Sequence, residues 1–288
     1  MSDTIIKFSL VMCVYEKENP LCLSECVKSI VSQTVIPDEW IIVKDGPLTP
    51  ELDAVIGSID FPNEFLVINL PQSVTQGPAR AEGVIAAKYD WVAIMDSDDI
   101  CIPHRFERQI EYISEHRDIS MVGGQIAEFD NDPEIIIATR QVPLSHEEII
   151  KFAKKRNPIN SMTVMFNRKA AVDAGNYRYF QWFEDYDLWI RMMSKGAVCA
   201  NLPDVLVKAR VGSGMYARRR GISYARSEWK MQREMKSIGF INSFEFIRNA
   251  ALRIPLRLLP EKAVTGIYKG IARRPILSDS NETPSTMS

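Results

Sequence analysis

Three carboxylates follow directly after an apolar run in the first third of the chain. Asp96, Asp98 and Asp99, with Ser97 between them, come after residues 91–95, which are all apolar. Such a run is typical of a buried strand, and an open α/β sheet presents its ligand crevice beyond the carboxyl ends of its strands. Carboxylates held close together repel unless a hard divalent cation such as Mg²⁺ or Mn²⁺ lies between them. The segment therefore predicts a metal site, although Asp and Ser also form turns and helix N-caps.

The elements that position this segment alternate between strands and helices. Strands are predicted over residues 8–15, 40–43, 65–70 and 91–96, and helices over 20–33 and 79–88. This alternation is typical of an α/β fold, a mostly parallel, Rossmann-like sheet with helices on both faces. Downstream, the pattern predicts helices over 105–116 and 184–194 and strands over 121–129, 135–140 and 161–166. From residue 222 to 269 it becomes helical, with breaks expected at Pro255 and Pro260.

Length and cysteine content limit the classes of protein to consider. The 288 residues, 46% hydrophobic and 25% charged, suffice for one large domain or one domain with an appendage. The cysteines are odd in number and lack Cys-x-x-Cys spacing, which suits a reducing cytoplasm. The apolar run at 8–15 is too short for a signal peptide, and no run of about 18 apolar residues occurs, so neither secretion nor a membrane span is expected.

Charge is distributed unevenly along the chain. The net charge is −2, yet residues 205–274 carry sixteen Lys and Arg against four Asp and Glu. Between residues 246 and 274 these cations alternate with apolar residues, a pattern typical of an amphipathic helix on an anionic membrane surface. A dimer interface or docking on the domain would explain the apolar residues equally well. The last residues, 275–288, are polar and are expected to be disordered.

Five motifs in order resemble the glycosyltransferase A fold and, within it, the family 2 nucleotide-sugar glycosyltransferases. They are Cys13-Val14-Tyr15, the turn at 43–46 with Asp45, Gly77-Pro78-Ala79-Arg80 with Gly83, Asp96-Ser97-Asp98-Asp99, and residues 184–191 beginning with Glu184-Asp185. The chain looks most like the enzymes of bacterial exopolysaccharide, O-antigen and capsule biosynthesis. The resemblance spans roughly residues 8–215, which implies a glycosyltransferase domain over 1–215, a basic helical extension over 216–274 and a tail over 275–288.

The resemblance assigns a donor side and a metal ligand. Asp45 would accept a hydrogen bond from a uracil base, Arg80 and Arg210 would approach the diphosphate, Asp96 would meet the ribose or a metal-bound water, and Asp98 would bind Mg²⁺ or Mn²⁺. The remaining nucleotide-sugar contacts it implies are Cys13, Val14, Tyr15, Gly77 and Ser97. The donor is expected to be a UDP-sugar, although Lys44 stands where the family often has a second acidic residue.

The resemblance also assigns the base and the acceptor side. Asp185 would take the proton of the acceptor hydroxyl and Glu184 would orient it, with inversion at the anomeric carbon. Acidic residues in the first turn of a helix also stabilise it without any catalytic role. Asn160, Ser161 and the aromatic Trp182 are candidates on the acceptor side. Asp187 and Arg191 are spaced for a supporting ion pair.

The implied partners are a nucleotide-diphosphate sugar and a saccharide acceptor linked to polyprenyl diphosphate, with the enzyme peripheral on the cytoplasmic face of the plasma membrane. The Gln-x-x-Arg-Trp signature of processive synthases is missing, so one sugar per encounter is expected. A sugar-1-phosphate nucleotidyltransferase is the alternative enzyme, but residues 13–20 lack the glycine-rich loop it needs. A non-catalytic nucleotide or nucleic-acid binder is the other alternative, and no nucleic-acid partner is expected for the transferase.

Overall fold

The computed structural model describes residues 6–212 and 220–258. Its strands are β1 (Phe8–Val14), β2 (Glu39–Lys44), β3 (Glu64–Asn69), β4 (Trp91–Asp96), β5 (Ile100–Cys101), β6 (Ile119–Phe129), β7 (Ile136–Arg140), β8 (Met165–Asn167) and β9 (Val198–Arg210). Its helices are α1 (Pro20–Val31), α2 (Pro50–Gly57), α3 (Gln76–Ala86), α4 (Arg105–Glu115), α5 (His146–Ala153), α6 (Arg168–Asp173), α7 (Glu184–Ser194), α8 (Gly221–Ser237) and α9 (Ser243–Leu258).

The first four long strands form a parallel sheet in the order β3-β2-β1-β4. The chain moves outward from β1 to β2 and β3, and then returns to place β4 on the other side of β1. Strand order therefore reverses between β1 and β4. In open α/β sheets the ligand crevice lies beyond the carboxyl ends of the strands at this reversal.

The sheet continues through shorter and mixed pairings. β8 runs antiparallel to both β4 and β6, β9 is parallel to β6, and β5 and β7 add antiparallel edges to β9 and β6. The long β9 ends at Arg210, next to the turn that contains Asp98 and Asp99, because β5 follows that turn and pairs with β9. The mixed sheet thus brings a late segment of the chain to the end of β4.

Hydrophobic residues cover both faces of the sheet. Along β1, Val11 faces one buried cluster, while Leu10 and Met12 face the other. Alternation of this kind is what a strand buried on both faces requires, because successive side chains point to opposite sides. The fold therefore has helices and apolar side chains on each face, as the sequence predicts.

Two predictions about local structure were wrong. Residues 161–163 form a 3₁₀ turn, not the start of a strand, because the Thr163 hydroxyl and amide both bond to the Asn160 carbonyl, at 2.7 and 2.9 Å. Helix α9 continues through Pro255 without the expected break. Arg253 and Arg257, on either side of Pro255, both bind Glu228 of α8, which holds the helix together around the missing N–H. Pro260 lies outside the described residues.

Helices α8 and α9 pack against the domain. Tyr224, Met231 and Met235 of α8 belong to the same hydrophobic cluster as the sheet. Asn242 and Glu245 cap α9 reciprocally, with each side chain bonded to the other's backbone N–H, at 2.8 and 2.9 Å. In the part of the chain that the structure describes, no helix combines the length and hydrophobicity needed to cross a bilayer.

Candidate active site

The carboxyl ends of β1, β2 and β4 meet at one edge of the sheet. Cys13 is level with both Val43 of β2 and Asp96 of β4. The Cys13 side chain packs against the hydrophobic cluster on one face of the sheet, and burial raises the pKa of its thiol to about 12, so it stays protonated. Val14 is buried and Tyr15 is 41% exposed where the chain leaves the sheet. The structure therefore places the first motif at the strand reversal.

Asp45 is fixed by the loop that precedes α3. Its two carboxylate oxygens accept hydrogen bonds from the Ser73 hydroxyl, at 2.8 Å, and the Val74 amide, at 2.6 Å. Gly46 follows with φ of +90°, and a Cβ there would lie 2.8 Å from the Ser73 nitrogen. Only glycine tolerates that turn and that approach. Asp45 is thus held rigidly at the end of β2, where the sequence predicts a contact to the base.

Arg80 lies between the two acidic motifs. Its side chain is buried, and its guanidinium forms ion pairs with Asp96 through Nη2 and with Asp185 through Nη1, the latter at 2.5 Å. The sequence assigned this arginine to the donor diphosphate, whereas both of its terminal nitrogens are directed to carboxylates. The arginine therefore brings together residues 96 and 185, from the end of β4 and the start of α7.

Asp185 and Glu184 are partly buried carboxyl groups in the first turn of α7. Burial raises the pKa of Asp185, and the Arg80 guanidinium opposes this, as does a hydrogen bond from the Ser161 hydroxyl. Burial and the neighbouring Asp185 raise the pKa of Glu184 to about 7. With its amide oriented to suit both neighbours, Gln76 donates to Glu184 Oε1, at 3.1 Å, and accepts from Arg80 Nη2.

Close packing of α3 against α7 makes this arrangement possible. A Cβ at Gly77 would lie 2.7 Å from the Arg178 carbonyl oxygen and 3.1 Å from Glu184 Cβ. The predicted ion pair of Asp187 and Arg191 is present at 2.8 Å, and Arg178 adds two bonds to the same carboxylate, at 2.6 and 2.8 Å. Gly77 therefore lets the two helices approach, and the pairs at Asp187 fix α7 against the preceding loop.

The acidic turn after β4 is held by Arg210. The Arg210 amide donates to Asp99 Oδ1 at 2.7 Å, and its guanidinium bonds to the Asp98 carbonyl, at 3.1 Å, and to Glu25, at 2.5 Å. Burial, with the charges of Asp98 and Asp96, raises the pKa of Asp99 well above its ordinary range. Ser97 is buried and Asp98 is partly exposed. Arg210, at the end of β9, therefore fixes the conformation of the acidic turn.

The residues of this turn fit a divalent cation of the expected kind. Among the residues described, no group of three or more His, Cys, Asp or Glu is arranged to enclose a metal. Mg²⁺, however, is commonly bound by one or two carboxylates together with substrate phosphates and water. Asp98 lies in the turn and carries such a carboxylate; Asp96 is paired with Arg80, and Asp99 accepts from the Arg210 amide. The donor set is thus a partial site that a diphosphate would complete.

The candidates for the acceptor side lie on two segments. Ser161 reaches Asp185, and Asn160 is buried, donating to the Gly124 carbonyl at 2.8 Å while its Oδ1 has no partner in the described ranges. Trp182 is 44% exposed and has φ of +74°, a conformation that a bulky residue rarely adopts. Its ring lies 5.7 Å from that of Tyr224 in α8.

Sequence reasoning missed several residues of the site. Gln76, Ser73 and Tyr177 carried no signal beyond polarity, because their positions depend on loops before α3 and α7. The Tyr177 hydroxyl is buried, lies near Arg80 and Asp185, and lacks a hydrogen-bond partner among the residues that the structure covers. Tyr224 lies in a segment assigned only to a helical extension. A pattern of tertiary contacts of this kind is not encoded in local spacing.

Comparison with known proteins decides the family. Residues 9–175 match the profile described as Glycosyl transferase family 2. The chain belongs to glycosyl transferase family 2. The match ends before Glu184 and Asp185, so the assignment of the base does not depend on it.

Several relatives align with nearly the whole length of this chain. An uncharacterized glycosyltransferase of Haemophilus influenzae is 43% identical over 93% of this chain and 100% of its own length. The amylovoran biosynthesis glycosyltransferase AmsE of Erwinia amylovora is 36% identical, covering 91% and 98%. The Escherichia coli UDP-Gal:alpha-D-GlcNAc-diphosphoundecaprenol beta-1,3-galactosyltransferase is also 36% identical, covering 95% and 99%. The prediction of a glycosyltransferase is confirmed.

Solved structures of low identity share the fold. Staphylococcus aureus TarS 1-349 in complex with UDP-GlcNAc has a TM-score of 0.65 at 15% identity, covering 86% of this chain and 71% of its own. The mannosyltransferase PcManGT of Pyrobaculum calidifontis, in complex with GDP-Man and Mn²⁺, has a TM-score of 0.62 at 12% identity, covering 93% and 77%. The predicted glycosyltransferase A fold is confirmed.

Proposed function

We propose that this family 2 enzyme transfers one sugar from a nucleotide-diphosphate sugar, a UDP-sugar in the first instance, to a hydroxyl of a lipid-linked saccharide in bacterial surface polysaccharide biosynthesis. The names of two relatives support the pathway class, since one is an amylovoran enzyme and the other uses UDP-Gal and a diphosphoundecaprenol-linked sugar. The observation that carries the proposal is the meeting of Asp96 and Asp185 on Arg80 at the strand reversal. Open α/β sheets bind their ligands at such a reversal, which supports this position for the nucleotide.

Asp185 is the proposed general base. An acceptor hydroxyl is a weak nucleophile, and a carboxylate within hydrogen-bond reach takes its proton as the oxygen attacks, a contribution of about 10²- to 10⁴-fold. The new bond forms between that oxygen and the anomeric carbon, the bond from that carbon to the diphosphate oxygen breaks, and the electron pair leaves with the diphosphate. Attack opposite the leaving group inverts the anomeric centre. The Arg80 guanidinium and the Ser161 hydroxyl favour the ionised form of Asp185 that this role requires.

The donor side uses the ends of β2 and β4. Asp45, held by Ser73 and Val74, presents its carboxylate where a base N–H would be read. Asp96 lies at the reversal point, where the ribose is expected. Asp98 would hold Mg²⁺ or Mn²⁺, which when bound supplies positive charge against the departing diphosphate. Arg210 supports the same turn from β9.

The acceptor side is proposed to use Trp182. Its φ of +74° is a strained conformation costing about 1–3 kcal/mol, and such strain is retained where the surroundings impose it. Packing against Tyr224 supplies that constraint, and Tyr224 itself lies under Arg257, whose guanidinium carbon is 4.6 Å from its ring centre. The exposed indole lies two and three residues before Glu184 and Asp185, so a stacked sugar would lie near the base.

We also propose that the enzyme works on the cytoplasmic face of the plasma membrane, where a polyprenyl-linked acceptor resides. Of the seven cations expected to contact lipid, Arg253 and Arg257 instead bind the buried Glu228, and Arg248 bonds to Asn249. Lys262, Lys269, Arg273 and Arg274 lie outside the described residues. The cations of α9 therefore support membrane attachment less strongly than the sequence suggests, because they pair within the protein.

The decisive experiment screens UDP-, GDP- and dTDP-sugars for acceptor-dependent release of nucleoside diphosphate, with and without Mg²⁺ or Mn²⁺. Asp185→Asn and Asp98→Ala should each lower transfer at least about 10²-fold. Asp173→Asn is the matched control, because Asp173 is exposed and its carboxylate forms an ion pair with Lys169 at the surface. Wild-type turnover by Asp185→Asn would refute the role of Asp185 as general base. Incorporation of a sugar 1-phosphate with release of pyrophosphate would instead identify a nucleotidyltransferase.

A further inference from the structure

Helix α8 carries a row of cations on its outward face. Arg226, Lys230, Arg233 and Lys236 follow one another at intervals of four, three and three residues, and all are exposed. At 3.6 residues per turn and 1.5 Å per residue, they form one stripe about 15 Å long. Trp229, 43% exposed, lies on the same face. Together the four cations form the α8 basic face.

The α8 basic face is not neutralised by nearby acids. None of its four cations forms a salt bridge with any residue in 6–212 or 220–258. Of the two acidic residues in α8, Glu228 is buried under Arg253 and Arg257, and Glu234 pairs with Arg178 at 2.6 Å. Lys230 and Lys236 contact the rings of Phe180 and Phe246, which leaves their charge uncompensated. The positive charge of this face therefore points to an anionic partner.

Apolar groups accompany the charge. Ile222 begins the same face of α8 and is 65% exposed, and Trp229 lies between Arg226 and Arg233. The neighbouring α9 exposes Phe244, Ile247 and Leu252, at 73%, 64% and 63%. An indole and aliphatic side chains among cations match the boundary between lipid headgroups and acyl chains, where Trp is favoured. A nucleic-acid backbone would use the cations but would leave the aliphatic groups in water.

The α8 basic face begins beside the proposed acceptor side. The Ser223 hydroxyl donates to Gln181 Oε1 at 3.3 Å, and Tyr224, the next residue, packs on Trp182. The segment that carries Trp182 continues directly into Glu184 and Asp185. A surface bound along α8 would therefore lie next to the point at which an acceptor reaches the base.

We propose that the α8 basic face binds the anionic headgroups of a lipid bilayer and so turns the acceptor side of the site toward the membrane. This inference rests on the proposed transfer to a lipid-linked acceptor. It moves the membrane contact from the region expected from sequence, residues 246–274, to α8. Each Lys or Arg near an anionic leaflet contributes about 1 kcal/mol to binding, so four cations suffice for reversible attachment.

The test measures co-sedimentation of the full chain with phosphatidylcholine vesicles, with and without phosphatidylglycerol. The double variant Arg226→Glu with Arg233→Glu is compared with a control, Lys28→Glu with Arg117→Glu, which makes the same change in net charge at exposed positions elsewhere. We expect the wild type to bind only the anionic vesicles, and less at high salt. The α8 variant should bind at least about thirty-fold more weakly, while the control stays within about two-fold.

Two further readouts separate the possible failures. The α8 variant should retain its unfolding temperature and its transfer to a water-soluble acceptor, because the changed residues are exposed and contact no group of the site. Equal vesicle binding by both double variants, or tighter binding to single-stranded RNA than to anionic vesicles, would overturn the inference. Absence of sugar transfer by the wild type to any saccharide would refute the proposed function while leaving the vesicle result to stand on its own.

Discussion

Arg80 gives the sharpest test of how the site is built. Arg80→Met keeps the length and apolar stem of the side chain and removes the guanidinium between Asp96 and Asp185. Removing one partner of a buried ion pair costs about 3–5 kcal/mol, because the remaining charge is left uncompensated. The side chains of Asp96 and Asp185 keep 21% and 17% of their exposure, so partial solvation favours the lower end, about 3 kcal/mol near neutral pH.

The loss should depend on pH in a definite direction. Burial already raises the folded-state pKa of Asp185, and Arg80 opposes this rise; without Arg80 that pKa rises further, so the folded protein binds a proton there more readily than the unfolded chain does. The stability of Arg80→Met should therefore increase as pH falls from about 7 to about 5, so the deficit against wild type shrinks. Urea unfolding of both proteins across this range measures it. Arg80→Lys is the control, since it keeps a charge but not the two-armed geometry.

The transfer activity of Arg80→Met should also depend on the protonation of Asp185. In Arg80→Met, Asp185 would be protonated over more of the neutral range, so transfer should fall at least about 10²-fold and the pH at which activity rises should move upward. The reasoning would be refuted if Arg80→Met and wild type had the same free energy of unfolding, within about 0.5 kcal/mol, throughout the pH range. An unchanged pH profile of transfer would separately refute the influence of Arg80 on the base.

Three other substitutions test neighbouring parts of the molecule. Burial raises the pKa of Glu184 from 4.5 to about 7, so the proton bound in the folded state stabilises it. The free energy of unfolding should therefore decline as pH rises between these two values. Glu184→Gln should flatten that decline in thermal unfolding curves. Glu228→Gln should lower the free energy of urea unfolding by about 3 kcal/mol or more, against little change for the exposed Glu134→Gln, because Arg253 and Arg257 both lose their buried partner. Glycine tolerates the φ of +74° at position 182, so Trp182→Gly should fold normally. It should raise the acceptor KM about ten-fold and leave donor binding, measured by calorimetry, unchanged. An unaltered acceptor KM would remove the indole from the site.

The parallel half of the fold could be predicted because each of its elements carries a local signal. The apolar runs that became β1 and β4 are continuous, as strands buried on both faces require. The strand β9 and the helices α2, α5 and α6 were not predicted. β9 contains Pro203 and charged residues, and its strand character comes from pairing along β6. The three helices have eight residues or fewer, too short for a clear periodicity.

The sequence predicted which residues belong to the site better than it predicted which residues they contact. Position at strand ends indicated Asp45 and Asp96, and the structure places them at one edge. The partner of Arg80 could not be inferred, because a basic residue at the start of a helix suits a bound phosphate as well as a carboxylate from a distant element. Ser161 was expected beside the acceptor, and its contact with Asp185 depends on the turn that replaced the predicted strand.

The position of Arg80 accounts for how two acidic motifs separated by almost ninety residues can share one site. Carboxylates from the end of β4 and the start of α7 would repel at close range, and the Arg80 guanidinium offsets this repulsion. The bound cation that the sequence predicts concerns the acidic turn at Asp96, Asp98 and Asp99. A guanidinium offers several N–H groups in one plane, so it can satisfy carboxylates from two elements at once, whereas an ammonium or a hydrated ion lacks that fixed geometry. Arg80 therefore holds Asp96 and Asp185, the proposed donor-side carboxylate and the proposed base, in a fixed arrangement. Asp98 lies in the turn after β4, and its proposed role as a metal ligand is separate from the two ion pairs of Arg80.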